Sequence, residues 1–215
     1  MWISNSNKEW KEYKPKQIKV YVIMHGFNGN LQLLENLFGK ENVESIFLPE
    51  YDKYPKGWDK GNTNWMDDNI NTQEKNLATL VDNMIIKKFK NMIRDSNGPS
   101  LVVTGSRGGQ VTLSRLWKFW RGPSICLNAG CVIQNKIEAV NLGLITGGKD
   151  FFDSNDLSNT LNKFKNKTDN LVIYHNTNDD HGVESYNEGM LHIINRLFNT
   201  NYNVNLDYSA SIISL

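Results

Sequence analysis

The sequence predicts an α/β fold: one domain over residues 1–215, with a mostly parallel sheet of about six strands and helices on both faces. Short apolar runs of strand length recur along the chain, and amphipathic runs with helical spacing separate them. This alternation is typical of parallel sheets that are buried on both faces. No stretch rich in Pro, Gly or Ser divides the chain, so the 215 residues are interpreted as a single domain.

The first half of the chain contains two predicted strands and two predicted helices. The first strand, "IKVYVIMHG" (18–26), is followed by the helix "LQLLENLFG", which Gly39 ends. The second strand, "VESIFLPEY", ends near Pro49 because proline cannot extend a central ladder. After a long polar and aromatic segment, a helix is predicted from about Thr72 to Arg94, and its apolar stripe comprises Leu77, Val81, Met84, Ile85, Phe89, Met92 and Ile93.

The second half continues the same alternation. "SLVVTG" is the third strand, and "GGQVTLSRLWKFW" is predicted to be a helix with Leu116 and Trp120 among its core positions. "PSICLNAG", "VNLGLITGG" and "NLVIYHN" are the fourth, fifth and sixth strands, and the helix "ESYNEGMLHIINRLF" follows them. Residues 1–17 are expected to form a polar N-terminal extension. The C-terminal tail, 199–215, is expected to be an edge strand or a packed extension.

Composition argues against several classes of function. The net charge of +1 gives no electrostatic reason to expect binding to nucleic acid or to a membrane surface. The polar N-terminus has no apolar signal region, and no apolar run is long enough to span a bilayer, so a cytoplasmic location is expected. Cys126 and Cys131 are expected to be reduced and to pack as small core hydrophobes.

Chemically active residues follow the predicted strands at the edge where ligands bind in open α/β sheets. His25 follows the first strand, Ser106 the third, Asp150 the fifth and His181 the sixth. A serine hydroxyl becomes a good nucleophile when a base takes its proton and a third group holds the base. The chain order Ser, Asp, His is the one that nucleophile-elbow enzymes use. A glycine-rich structural turn at 105–109 is the alternative, and a Walker phosphate loop is excluded because Gly-Lys-Ser/Thr is absent.

Three stretches carry a resemblance to a known family: "LVVTGSRGGQVTLSRL", "LITGGKD" and "DDHGVESYNEGML". Over roughly residues 18–198, the chain resembles a compact, lidless α/β-hydrolase. The resemblance implies a catalytic triad in which Ser106 is the nucleophile on a nucleophile elbow, Asp150 is the acid and His181 is the base.

The resemblance has a further implication and some departures. It implies that the backbone N–H groups of Phe27 and Arg107 form the oxyanion hole. Thr104 stands where the family has the first glycine of Gly-x-Ser-x-Gly. The region before the first strand is too short for the family's usual antiparallel pair, so a reduced sheet is expected. Only "CVIQNKIEAV" separates the fourth strand from the fifth, which leaves no room for a cap domain.

Other acidic residues and histidines compete for the same roles. Asp153, Asp179 and Asp180 are alternative acids, and a second register pairs Asp179 or Asp180 with His192 as the base. That register puts the base inside a helix and is therefore ranked second. In the preferred register, with His181 as the base, His192 is expected on a solvated helix face and His175 is expected to be buried and hydrogen-bonded.

The sequence therefore predicts a serine hydrolase of esterase or thioesterase type. It would cleave a small-molecule carboxylic ester or thioester through an acyl-enzyme, with no metal or cofactor. The alternative is a catalytically inactive, hydrolase-like binding protein, which the altered elbow at Thr104 favours. Aromatic residues between positions 49 and 70 either line an acyl or aromatic pocket or pack on the domain, namely Tyr51, Tyr54, Trp58 and Trp65.

Overall fold

The computed structural model describes residues 2–4, 10–12, 18–24, 31–47, 86–94, 100–105, 116, 120–128, 141–150, 158, 161–162, 170–181, 185–204 and 210–214. In chain order, the strands are β1 (Trp2–Ser4), β2 (Trp10–Glu12), β3 (Val20–Met24), β4 (Val43–Phe47), β5 (Leu101–Gly105), β6 (Trp120–Arg121), β7 (Ser124–Leu127), β8 (Asn141–Gly147), β9 (Asn170–Asn176) and β10 (Ala210–Ser214). The helices are α1 (Leu31–Phe38), α2 (Lys87–Arg94) and α3 (Tyr186–Phe198).

The large sheet has seven strands in the order β10–β9–β8–β7–β5–β3–β4. Six of them pair in parallel, and β10 pairs with β9 in antiparallel register. This confirms the α/β fold and the mostly parallel sheet, with all six predicted strands present and part of the tail as an antiparallel edge strand. Every residue of β5 and β7 is buried, which accounts for their continuous runs of strand-forming residues.

Helices cover both faces of this sheet. Val22 of β3 lies in a core that contains Leu34 of α1 and Met190 of α3. Its neighbour Tyr21 points to the opposite face, where its ring meets Phe89 of α2 edge-on with the centroids 4.8 Å apart. Because successive strand residues alternate between faces, α1 and α3 lie on one side of the sheet and α2 on the other.

The N-terminal region differs from the prediction. β1 pairs antiparallel with β2 and with β6, which gives a second, three-stranded sheet. Residues 1–17 therefore contribute strands and are not a plain polar extension. Trp120, predicted to lie in a helix, is a fully buried strand residue opposite Ile3. Strands of two or three residues are too short to show a period-two pattern, and these strands come from distant parts of the sequence.

The position of β3 defines where a ligand would approach the sheet. β4 lies on one side of β3 and β5 on the other, so the direction of winding reverses at this strand. In open α/β sheets, ligands bind at such a switch point, outside the carboxyl ends of the strands. Here those ends are Met24 of β3 and Gly105 of β5.

Candidate active site

Asp150 and His181, two of the three predicted triad residues, are described and are in contact. His181 Nδ1 lies 2.9 Å from Asp150 Oδ2. The two residues follow β8 and β9, which are neighbouring parallel strands, so they leave the sheet at the same edge. An ionised carboxylate only accepts hydrogen bonds, so this contact puts a proton on Nδ1 and, in the neutral ring, leaves the lone pair on Nε2.

The two partners differ in their exposure. The side chain of Asp150 is 0% exposed, whereas that of His181 is 26% exposed. A buried carboxylate behind a partly accessible imidazole can orient the ring and stabilise its protonated form. The accessible ring can exchange a proton with a group outside the sheet edge.

Backbone hydrogen bonds join the segment that carries Asp150 to the segment that carries His181. We name these the Asp150 turn (147–150) and the His181 loop (177–181). Gly148 N donates to the last carbonyl of β9 and Lys149 N to a carbonyl of the His181 loop, each at 2.8 Å. Gly147 permits this close approach, because a Cβ there would lie 2.5 Å from two carbonyl oxygens of the loop.

Asp179 ties the His181 loop to the start of α3. Its carboxylate accepts hydrogen bonds from the N–H of Ser185 at 3.1 Å and from the Ser185 hydroxyl. Asn176 Nδ2 donates to the same hydroxyl oxygen at 3.1 Å. Of the alternative acids, Asp179 is therefore engaged with Ser185 and Asp180 is exposed, while Asp153 lies outside the described residues.

Asn128 is a site residue that the sequence analysis missed. It directly follows β7 and is buried. Its side-chain amide donates to the main-chain oxygen of His181 and accepts from Gly147 N at 3.3 Å. The available signal was the stretch "PSICLNAG", in which an asparagine follows a buried strand at the same sheet edge as the other candidates.

The remaining described histidines lie in other surroundings. His175 is buried, and its Nδ1 lies 2.9 Å from Thr146 Oγ1, as predicted. The prediction of a solvated His192 is wrong, because its ring stacks on Tyr174 with the centroids 6.0 Å apart and its Nε2 is buried. This burial lowers the pKa of His192, and the negative charge of Glu188 opposes the shift.

Several predicted site residues lie outside the described residues. They are the proposed nucleophile, the two oxyanion donors and the four aromatic pocket candidates: Ser106, Phe27, Arg107, Tyr51, Tyr54, Trp58 and Trp65. Gly105, the residue before the proposed nucleophile, is described and is buried at the end of β5. The roles of these seven residues remain predictions.

The described residues offer neither a metal site nor a membrane-spanning helix. In that part of the chain, no three or more His, Cys, Asp and Glu side chains are grouped so that they could hold a metal ion. The described helices also include none with the length and apolar character needed to cross a membrane. Cys126 is buried in the core, as predicted, and Cys131 lies outside these ranges.

The chain is similar to several solved structures. No protein-family model matches it, and no curated protein matches its sequence. An uncharacterized protein from Bacillus cereus ATCC 10987 is 16% identical with a TM-score of 0.46; the match covers 88% of this chain but spans only 62% of that protein. An alpha-beta serine hydrolase homologue from Coxiella burnetii is 10% identical with a TM-score of 0.45, covering 85% of this chain and 88% of its own. The esterase domain of a Rhodothermus marinus protein is also 10% identical, with a TM-score of 0.44 and coverage of 90% and 93%. At these scores the likeness carries no argument about activity, and the α/β fold rests on the strand order itself.

Proposed function

We propose that this chain is a serine hydrolase of α/β-hydrolase type that cleaves a carboxylic ester or a thioester. The observation that carries the proposal is the hydrogen bond between His181 Nδ1 and the buried carboxylate of Asp150. An imidazole held in this way is prepared to act as a general base through Nε2. The proposed nucleophile is Ser106.

The register of the sheet supports the choice of Ser106. Gly105, at the end of β5, lies opposite Leu127 of β7. The residue after Leu127 is Asn128, which hydrogen bonds to the main-chain oxygen of His181. The His181 loop therefore reaches back from β9 across β8 to the end of β7. Adjacent strands lie about 4.8 Å apart, so Gly105, the residue before Ser106, lies about one strand spacing from Leu127, and Leu127 directly precedes the asparagine that binds the main-chain oxygen of His181.

The proposed reaction follows from these positions. Ser106 Oγ attacks the substrate carbonyl carbon and its proton passes to His181 Nε2, while backbone N–H groups of Phe27 and Arg107 stabilise the oxyanion. The imidazolium, supported by Asp150, returns the proton to the departing alcohol or thiol and leaves an acyl ester on Ser106. Water then gives a proton to His181 and attacks the carbonyl carbon of this ester, and the imidazolium returns that proton to Ser106 Oγ as the bond between Oγ and the acyl carbon breaks. The products are the carboxylic acid and the regenerated serine.

A binding protein without turnover is the second candidate, and Thr104 is the observation that favours it. Thr104 replaces the first glycine of the elbow pattern and is fully buried. Its Oγ1 lies 3.4 Å from Ile125 O, and its backbone pairs in register with Cys126 of β7. The threonine is therefore accommodated without a break in the ladder, and we rank the hydrolase first.

Labelling with a serine-directed phosphonate probe, read by mass spectrometry, tests the proposal. We expect label on Ser106 in the native protein and none in Ser106→Ala. We expect labelling to be about 10²-fold slower or more in His181→Ala, because the general base is lost. His192→Phe is the matched control, since it removes a histidine that the mechanism does not use, and it should label at the native rate.

Three outcomes would count against parts of this proposal. Label on another residue would refute Ser106 as the nucleophile. A native rate in His181→Ala would refute the assigned base. A folded native protein that takes up no probe and turns over no small ester or thioester would favour the binding protein.

A further inference from the structure

One side-chain amide bridges the two segments that bring Asp150 and His181 together. Asn128 Nδ2 donates to the main-chain oxygen of His181, and its Oδ1 accepts from the backbone N–H of Gly147. The orientation of the amide is fixed, because the carbonyl of His181 can only accept and the N–H of Gly147 can only donate. The backbone N–H of Asn128 also donates to Ile145 O at 2.7 Å, which ties the same residue to β8.

The backbone conformation restricts which residue can do this. Asn128 has a φ of 49°, in the left-handed region that favours glycine and tolerates asparagine and aspartate. Glycine would accept this φ but has no amide, and aspartate would accept it but has no donor for the carbonyl of His181. Asparagine meets the conformational requirement and supplies both the donor and the acceptor.

We propose that Asn128 is the positioning residue of the Asp150–His181 pair. By fixing the main-chain oxygen of His181 against the Asp150 turn, it holds the imidazole where Nδ1 meets the carboxylate. Asn128 acts through the backbone of His181 and of the Asp150 turn, since its side-chain amide hydrogen bonds to the main-chain oxygen of His181 and to the N–H of Gly147. The consequence for turnover rests on the proposed hydrolase function, whereas the consequence for the Asp150–His181 contact does not.

Proton NMR tests the contact without relying on activity. A proton held between an imidazole nitrogen and a carboxylate resonates far downfield, and its absence in His181→Gln assigns the signal. We expect the native protein and Ser106→Ala to show it, and Asn128→Asp and Asn128→Gly to lose it or to shift it upfield. Both variants keep the left-handed φ accessible, whereas Asn128→Ala would add backbone strain.

Thr146→Val is the matched control for a loss of stability alone. It removes a buried hydrogen bond to His175 one residue before the Asp150 turn, and it should leave the downfield signal unchanged. In turnover, we expect the two Asn128 variants to lower kcat by about 10- to 100-fold and to change KM by less than about twofold. An imidazole displaced by about 1 Å transfers the proton less efficiently in the chemical step, whereas substrate binding does not depend on its position.

The outcomes separate this proposal from the proposed function. An unchanged downfield signal in both folded Asn128 variants overturns it, and so does a native protein that lacks the signal. If Asn128→Gly does not fold, the nearly isosteric Asn128→Asp decides; failure of both to fold assigns the residue to sheet stability and overturns the proposal. A native protein that fails to label at Ser106, but whose downfield signal depends on Asn128, refutes the hydrolase and supports the positioning role.

Discussion

Replacement of Gly147 by alanine should separate the Asp150 turn from the His181 loop. A Cβ at this position would lie 2.5 Å from the carbonyl oxygens of Asp179 and Asp180. Both atoms belong to the backbone, and the Asp179 carbonyl also accepts the hydrogen bond from Lys149 N. No side-chain rotation can relieve the overlap, so the loop itself must move.

The size of the effect follows from this overlap. Ordinary van der Waals contact needs a separation of 3.4 Å or more. The loop must therefore retreat by about 1 Å, a displacement that can cost about 10²-fold in rate at a catalytic group. Overpacking of this kind costs about 1–3 kcal/mol, and for a chain of this length 2 kcal/mol lowers Tm by about 4–8 °C.

The assay compares two variants of the same strand. Gly143→Ala is the matched control, because its Cβ would lie 2.2 Å from the Ile193 side chain of α3, away from the His181 loop. We expect both variants to lower Tm, measured by thermal unfolding. Only Gly147→Ala should slow phosphonate labelling of Ser106 by about 10²-fold. A Gly147→Ala protein with native Tm and native labelling would refute the argument, and so would equal slowing in Gly143→Ala.

Two further predictions concern stability. Asp179→Ala removes the buried acceptor of the Ser185 N–H and hydroxyl, and should cost about 1–3 kcal/mol in chemical denaturation, whereas the neighbouring exposed Asp180→Ala should stay within about 0.5 kcal/mol. Burial lowers the pKa of His192 in the folded state, so the unfolded state binds its proton more readily. The neutral ring therefore contributes its full stability above the unfolded pKa of about 6.5, and this stability is lost as pH falls from there towards the folded pKa. His192→Phe keeps an aromatic ring on Tyr174 without the titration, so its Tm relative to the native protein should be constant above about pH 7 and should rise as pH falls below about 6.5.

Each of these predictions has an outcome that contradicts it. Equal stabilities of the Asp179 and Asp180 variants would mean that the Ser185 hydrogen bonds are replaced by water without loss. Parallel Tm curves of the native protein and His192→Phe between pH 5 and pH 8 would mean that the pKa of His192 is the same in the folded and unfolded states.

The sequence was sufficient where a local pattern and the tertiary fold agree. β5 and β9 are predicted correctly because their apolar runs have strand length and lie between turn signals. α3 is predicted correctly because its apolar residues recur at helical spacing, and its buried residues, Met190 and Ile193 among them, are these residues. The mostly parallel pairing of the strands then followed from the general rule that such alternation gives a parallel sheet.

The sequence was insufficient where a distant contact decides the outcome. Trp120 stands at core spacing after Leu116, but its backbone pairs with Ile3 of β1. His192 stands among polar neighbours on its helix, yet Tyr174 of β9 covers the ring. Nothing in the sequence near Asn128 distinguishes it from an ordinary loop residue at the end of a strand, because its side chain bonds to the Asp150 turn and to the His181 loop, which are distant in sequence. In each case the residue that makes the decisive contact belongs to another element. The periodicity of one segment carries no information about such a contact.

The path of the His181 loop is the feature that the fold alone does not require. A short turn from β9 into α3 would complete the sheet and bury the same helix face. Instead, carbonyl oxygens of the loop lie against Gly147 at the end of β8, and the oxygen of His181 lies at Asn128, beyond the end of β7. Besides the backbone hydrogen bonds from Gly148 and Lys149, two buried polar side chains hold this loop: Asp179 joins it to Ser185, and Asn128 binds the main-chain oxygen of His181. Polar groups are costly to bury, so the hydrogen bonds of these two side chains indicate a specified loop path, in which the main-chain oxygen of His181 is held at the end of β7, the strand next to β5.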